Sequence, residues 1–243
     1  VFDIRAHEEF SALSDELNST GHTLKGYIAD AESRIDEALG YARDIQAHSL
    51  PTAFPKIKEA ELFASMHPAK KVGGDFYDFY FVSASKLAVL IADVSGKGIP
   101  ASLFMMKAKT LIQERANTGL DPAEVLTRAN ARLSEGNDSC MFVTVWLGYI
   151  DLITGHVVFA NAGHDKPALR HKDGNFEYVD QKVGLVLAAL DMMTYKPQEF
   201  WLQPGDTLYL YTDGVPEATN INNELYGLDR LLRVLDNAPS LDV

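Results

Sequence analysis

The chain has 243 residues, a formal net charge of −12, 47% hydrophobic residues and 23% charged residues. Such a composition can bury a sizeable core and excludes global disorder, and the acidic balance argues against a general binder of nucleic acid or anionic membrane. The single cysteine, Cys140, excludes an internal disulfide and reads as a buried, inert thiol in a reducing compartment. No run of about 18 apolar residues offers a membrane span, and no signal-peptide pattern opens the sequence.

Residues 1 to about 50 follow a helical grammar. Phe10, Leu17, Leu24, Ala31, Ala38 and Ile45 fall seven apart, and Ile28, Ile35 and Ala42 form a second, offset row. That is the a/d pattern of a helix facing a partner helix. The alternative is an amphipathic helix lying on its own domain. His7, Ser14 and Gly21 interrupt the second row early, and Gly21 and Gly26 weaken the helix. Two helical pieces, or one helix loose near Gly21, are expected. Pro51 and Pro55 end the region.

From residue 56 the pattern is globular. "KLAVLIADV" (86–94) reads as a strand buried on both faces. "IPASLFMMKAKTLIQERA" (99–116) has helical spacing, with Pro100 suited to the first turn. "DPAEVLTRANARL" (121–133) opens with an Asp cap. Residues 141–152 and 155–163 form a hairpin across Thr154 and Gly155. "EFWLQPGDTLYLYTDG" (199–214) gives two more strands, and residues 224–237 a closing helix. Strands, then two helices, then strands predict a layered α+β domain.

Three aspartates share one local setting. Asp75 follows two glycines in "VGGDFYDFYF", Asp93 ends the strand that runs into "VSGKG", and Asp213 ends the strand that runs into Gly214. Each alone has an ordinary reading, as a turn former or a helix cap. Together they are rigidly aimed carboxylates, the donors that hard divalent cations require. The segment "DVSGKGIPA" lacks the P-loop spacing. His164, in "NAGH", follows a strand, where a structural role is the commoner one.

The motifs "LPTAFP", "ASMHPAKKVGGDFYDFY", "LIADVSGKGIPASLFMMKAKTLI", "NAGHDKPAL", "LQPGDTLYLYTDGVPEATN" and "LYGLDRL" occur in order. Over roughly residues 40–235 the chain resembles the SpoIIE/RsbU-like branch of the PPM-type, metal-dependent protein serine/threonine phosphatases. The resemblance implies a four-layer αββα sandwich of two antiparallel sheets flanked by helices, spanning residues 51–243. It implies hydrolysis of protein phosphoserine or phosphothreonine with two Mn²⁺ or Mg²⁺ ions and no phosphoenzyme. By the same resemblance Asp93 bridges the ions, Asp75 and Asp213 hold the second, and the Val94 carbonyl helps hold the first. Gly74, Asp78, Ser95, Gly96, His164 and Gly214 support them. The implied partner is a phosphorylated STAS-domain regulator.

Residues 1–28 resemble the second helix of a HAMP signalling module, so residues 1–50 read as a signalling helix that pairs in a homodimer. This implies the cytoplasmic domain of an inner-membrane receptor, attached through upstream segments. The chain begins at Val1 and ends at "NAPSLDV", before the family's "DD-x-T" strand, so further residues are expected at both ends. Ser95 stands where eukaryotic relatives carry a histidine, which leaves the general acid unassigned, and "NAGHDKP" places Asp165 and Lys166 near the site. A degenerate phosphatase that captures a phosphorylated partner without turnover is the competing reading.

Overall fold

The computed structural model describes residues 5–172 and 174–238. Residues 1–4 of the HAMP-like segment and the "PSLDV" end lie outside them. The described chain forms two units, which divide between Ile45 and Gln46.

Helix α1 (Arg5–Ser49) is one unbroken helix of 45 residues, so the expected break or loosening at Gly21 does not occur. A helical glycine costs only about 1 kcal/mol relative to alanine, and the turns on either side outweigh it. Phe10, Leu17, Leu24, Ile28, Ile35 and Ile45 are each more than half exposed. The apolar stripe read from the sequence is therefore uncovered within its own unit.

The second unit is layered. Strands β1 (Phe76–Phe81), β2 (Lys86–Val94), β3 (Val143–Asp151) and β4 (His156–Ala162) form an antiparallel sheet in chain order, closed at its edge by β7 (Gln198–Trp201). Strands β5 (Ala168–Arg170), β6 (Phe176–Tyr178) and β8 (Thr207–Tyr209) form a second antiparallel sheet in the order β6-β5-β8. Helices α2 (Ile99–Ala116) and α3 (Pro122–Ser134) cover the outer face of the first sheet, and α4 (Leu228–Asn237) packs beside β6.

Alternation along the strands separates two cores. Ala88, Leu90 and Ala92 of β2 point toward α2 and α3, where Met105, Ile112 and Leu126 are fully buried. Val89 and Ile91 point between the sheets, against Trp146, Phe159 and Leu208. Trp146 and Phe159 stack with centroids 5.5 Å apart. A Cβ at Gly148 would lie 2.3 Å from the Trp146 ring, so the bare glycine is what admits the indole. Asp121 caps α3 as its sequence predicts, accepting from the amides of Ala123 at 2.8 Å and Glu124 at 3.0 Å.

Some expectations are corrected. Cys140 is exposed, not buried, and sits at φ +50° in the turn before β3. Of the two strands around the Pro-Gly-Asp turn, β7 joins β4 and β8 joins β5, so this segment carries the chain from one sheet to the other; β8 stops at Tyr209, so Asp213 lies in the loop beyond it and not at a strand end. The last helix begins at Leu228, because Thr219 and Leu225 form a β-bridge just before it.

Candidate metal centre

Strand register brings the first two acids together. Phe76 of β1 stands opposite Ala92 of β2, which brings Asp75, just before β1, beside Asp93, and the two carboxyl groups hydrogen-bond. Both project to the inter-sheet side, at the polar end of the layer that Ile91 continues as apolar. Asp93 in turn stands opposite Thr144 of β3. Asp78, three residues on from Asp75, points the other way and is 3% exposed, paired with Lys109 of α2 at 2.6 Å. It lies on the helix side of the sheet, away from the acids.

Gly74 permits the close approach of the two strand ends. A Cβ there would lie 2.6 Å from the Val94 carbonyl oxygen. The preceding peptide, at Gly73, is clasped by Gln46: its carbonyl accepts from Gln46 Nε2 at 2.7 Å and its amide donates to Oε1 at 3.1 Å.

Asp213 arrives from the second sheet. After Tyr209 the chain leaves the ladder, and a turn closed by the Glu217 amide donating to the Asp213 carbonyl at 2.8 Å places Glu217 one turn above Asp213. Gly214 donates its amide to the Asp213 carboxylate. The residue before it, Thr212, donates its hydroxyl to Asp75 Oδ2 at 2.7 Å.

His164 ties the same strands from within. It is 5% exposed. Its Nε2 donates to the Tyr211 carbonyl at 3.0 Å, and the Thr144 hydroxyl meets Nδ1 at 2.8 Å. The carbonyl fixes the tautomer, so Thr144 is the donor. Burial pushes the His164 pKa down to about 4, which keeps the ring neutral. Asn161 holds the turn, donating to the His164 carbonyl at 2.9 Å and accepting from its amide at 2.8 Å. His164 is a buried brace between the sheets.

The electrostatics of the acids are those of gathered negative charge. Burial pushes Asp93 up to about 8, helped by its hydrogen bond to Asp75 and by the charges of Asp75, Asp213 and Glu217. Burial, then Glu217 and Asp75, raises Asp213, against the opposing pull of Gly214 and Lys97. Asp165 is also raised, by burial and by Asp213 and Glu217. Among the described residues, no three acidic, His or Cys side chains close to ligand geometry; Asp75 and Asp93 pair directly, and the other acids act through their charge. Carboxylates driven toward neutrality, with the Val94 carbonyl brought against Gly74, suit a hard divalent cation, whose charge would relieve the mutual repulsion.

The sequence placed Asp75, Asp93, Asp213 and His164 in this region but gave no role to Thr212, Glu217 or Lys97. Thr212 and Glu217 flank Asp213 within the same motif, but only the turn brings Glu217 back to Asp213, and only the fold brings Thr212 to Asp75.

Comparison with known proteins agrees with this architecture. The family model "Stage II sporulation protein E (SpoIIE)" matches residues 83–243. The phosphoserine phosphatase RsbU of Bacillus subtilis is 32% identical over 203 residues, which cover 84% of this chain and 59% of the relative. Protein IcfG of Synechocystis is 29% identical over 259 residues, covering 94% of this chain and 40% of that protein. The chain thus spans about half the length of the curated relatives it matches. Among solved structures, the SiaA-PP2C domain of Pseudomonas aeruginosa superposes with a TM-score of 0.71 at 27% identity, over 85% of this chain and 83% of that one. This two-sheet α+β domain, matched over most of its length by the SpoIIE family model, belongs to the SpoIIE family of PP2C-type phosphatase domains.

Proposed function

We propose that this domain hydrolyses phosphoserine or phosphothreonine on a regulatory protein, using two Mn²⁺ or Mg²⁺ ions. The observation that carries the reading is the direct pairing of Asp75 with Asp93 where β1 meets β2, in a buried setting whose negative charge Asp213 and Glu217 add to. Asp75, Asp93 and Asp213, with the Val94 carbonyl, are the groups that would hold the ions. When bound, such ions supply a nucleophilic water at neutral pH and neutralise phosphoryl charge. The protein's part is positional. Thr212 fixes the rotamer of Asp75, Gly214 that of Asp213, and the His164 brace holds the two sheets in register beneath them. A STAS-like phosphoprotein is the partner we favour, since curated relatives are phosphoserine phosphatases named RsbU and RsbP.

Control would come from the helix. The uncovered stripe of α1 suits pairing with a second copy. Gln46, in the last turn of α1, holds the peptide two residues before Asp75. The HAMP-like start of the helix fits the cytoplasmic output of a membrane receptor, and no described helix is long and apolar enough to cross a membrane itself.

The test is phosphate release from a phosphoserine protein with and without Mn²⁺. Metal-dependent release that disappears in Asp93→Asn is expected; release that survives the substitution sinks the proposal. One observation favours a second reading, capture of a phosphorylated partner without turnover: the described acids do not close in threes. Tight phospho-dependent binding with no release under saturating Mn²⁺ would select it.

A further inference from the structure

A phosphoryl dianion that approaches this site meets at least four carboxylates: Asp75, Asp93, Asp213 and Glu217. Divalent ions can offset charge at the centre, but the rim must also admit an anion to an acidic protein. One loop is built for that. Residues 95–98 leave the site at Ser95 and re-enter structure as α2. Ser95 is pinned twice: its amide donates to the Phe142 carbonyl at 2.9 Å, and its hydroxyl accepts from the Phe142 amide at 2.9 Å. The far end is pinned where the Ser102 amide donates to the Gly98 carbonyl at 3.0 Å.

Between these anchors lies Lys97, flanked by Gly96 at φ +88° and Gly98 at φ +76°. Two left-handed residues in three fold the loop back sharply, so it projects a single long side chain. Lys97 is exposed, and among the described residues no hydrogen bond or ion pair holds its ammonium group. Its charge nevertheless reaches Asp213. Behind it, α2 opens without a side-chain cap and without an acid in its first turn, so the positive end of the helix faces the same loop unopposed.

We propose that Lys97 contacts the phosphoryl oxygens of the bound phosphoester at the mouth of the acid site, as a substrate-positioning cation. The assignment rests on the phosphoester reading of the site, but not on turnover. An ammonium suits the task, since it is a point charge with three donors on a flexible stem and needs no fixed bidentate geometry. Its separation from the acids by the Gly96 turn lets it engage a phosphate without closing a permanent ion pair.

The experiment uses the full chain loaded with Mg²⁺ and titrates inorganic phosphate by calorimetry, alongside steady-state kinetics on a phosphoserine peptide. Lys97→Ala is expected to weaken phosphate binding and raise KM by about tenfold, the loss of one charged hydrogen bond. kcat should fall far less, the Mg²⁺-induced rise in Tm should be unchanged, and Lys97→Arg should restore most of the affinity. Phosphate binding by Lys97→Ala equal to that of the wild type overturns the inference, as does a wild type that binds no phosphate. Absence of hydrolysis in the wild type, with the Lys97-dependent phosphate affinity intact, instead removes the catalytic reading and leaves the Lys97 assignment standing.

Discussion

Thr212 and Asp75 are 137 residues apart in the chain, and the Thr212 hydroxyl donates to the Asp75 carboxylate at 2.7 Å. This bond joins the segment that continues β8 in one sheet to the entrance of β1 in the other. It orients a proposed ligand without being one. Supporting contacts of this kind typically govern metal affinity by 10–100-fold. Thr212→Val keeps the shape and removes the donor. We expect Mn²⁺ affinity to fall by about 10–100-fold, read by metal titration of Tm, with the metal-free fold intact. Unchanged affinity would show that Asp75 needs no such support.

Asp93 gives the metal-free protein an unusual pH response. Its folded pKa, about 8, lies above the ordinary carboxylate value of 3.8, so the folded state binds the proton more tightly. This group therefore adds stability as pH falls from about 8 toward 4, and weakens the fold as pH rises through that window. In the presence of a chelator, Asp93→Asn should raise Tm at pH 8 and flatten this dependence. Adding Mn²⁺ should raise Tm for the wild type and much less for the variant. Equal metal responses would remove Asp93 from the centre.

His164 works in the opposite sense. Its folded pKa, about 4, lies below the ordinary value of 6.5, so the neutral ring is preferred in the fold. Stability from this group is present above pH 6.5 and is lost as pH falls toward 4. His164→Ala should cost about 3 kcal/mol at pH 7 from two broken hydrogen bonds and a cavity. The difference between wild type and variant should narrow below pH 6, by chemical denaturation. A constant difference would mean that the ring is not held neutral.

Asp78 and Lys109 form a nearly dry ion pair between β1 and α2, with side chains 4% and 10% exposed. Removing one partner leaves the other charge buried. Lys109→Met should destabilise the domain by about 3–5 kcal/mol, and the double variant Asp78→Leu/Lys109→Met should recover much of that loss. Urea denaturation of the four proteins closes the cycle. Additive losses would show that the two charges do not act as a pair.

Ile35 is 61% exposed on the stripe of α1. Placing a charge there, Ile35→Asp, should weaken self-association by at least about tenfold, or ~1.4 kcal/mol, by sedimentation. If the helix also controls the site, phosphate release should change in Ile35→Asp and in Gln46→Ala, whose side chain clasps Gly73. Unchanged association and release in Ile35→Asp would remove the helix from both roles.

Local features are legible in the order of residues alone. Apolar runs long enough to announce their period gave β2, β3, β4, α2 and α3, and an Asp-Pro-x-Glu start fixed the cap of α3. Aspartates beside glycine at the borders of apolar runs singled out Asp75, Asp93 and Asp213 as candidates, because residue type and flank suffice for that. The three-residue strands β5 and β6 went unread, since three residues are too few to show a period. Cys140 was misread because burial is a property of the packed domain, not of the residue type. Tertiary structure alone decided that β7 and β8 part into different sheets and that Asp78 turns to Lys109 while Asp75 turns to Thr212. It also decided that Glu217 and Lys97 share the field of Asp213. Each of these depends on strand register and on which face a side chain takes. Register is fixed by partners far away in the chain, so a single-residue slip would exchange the two faces and dissolve the site.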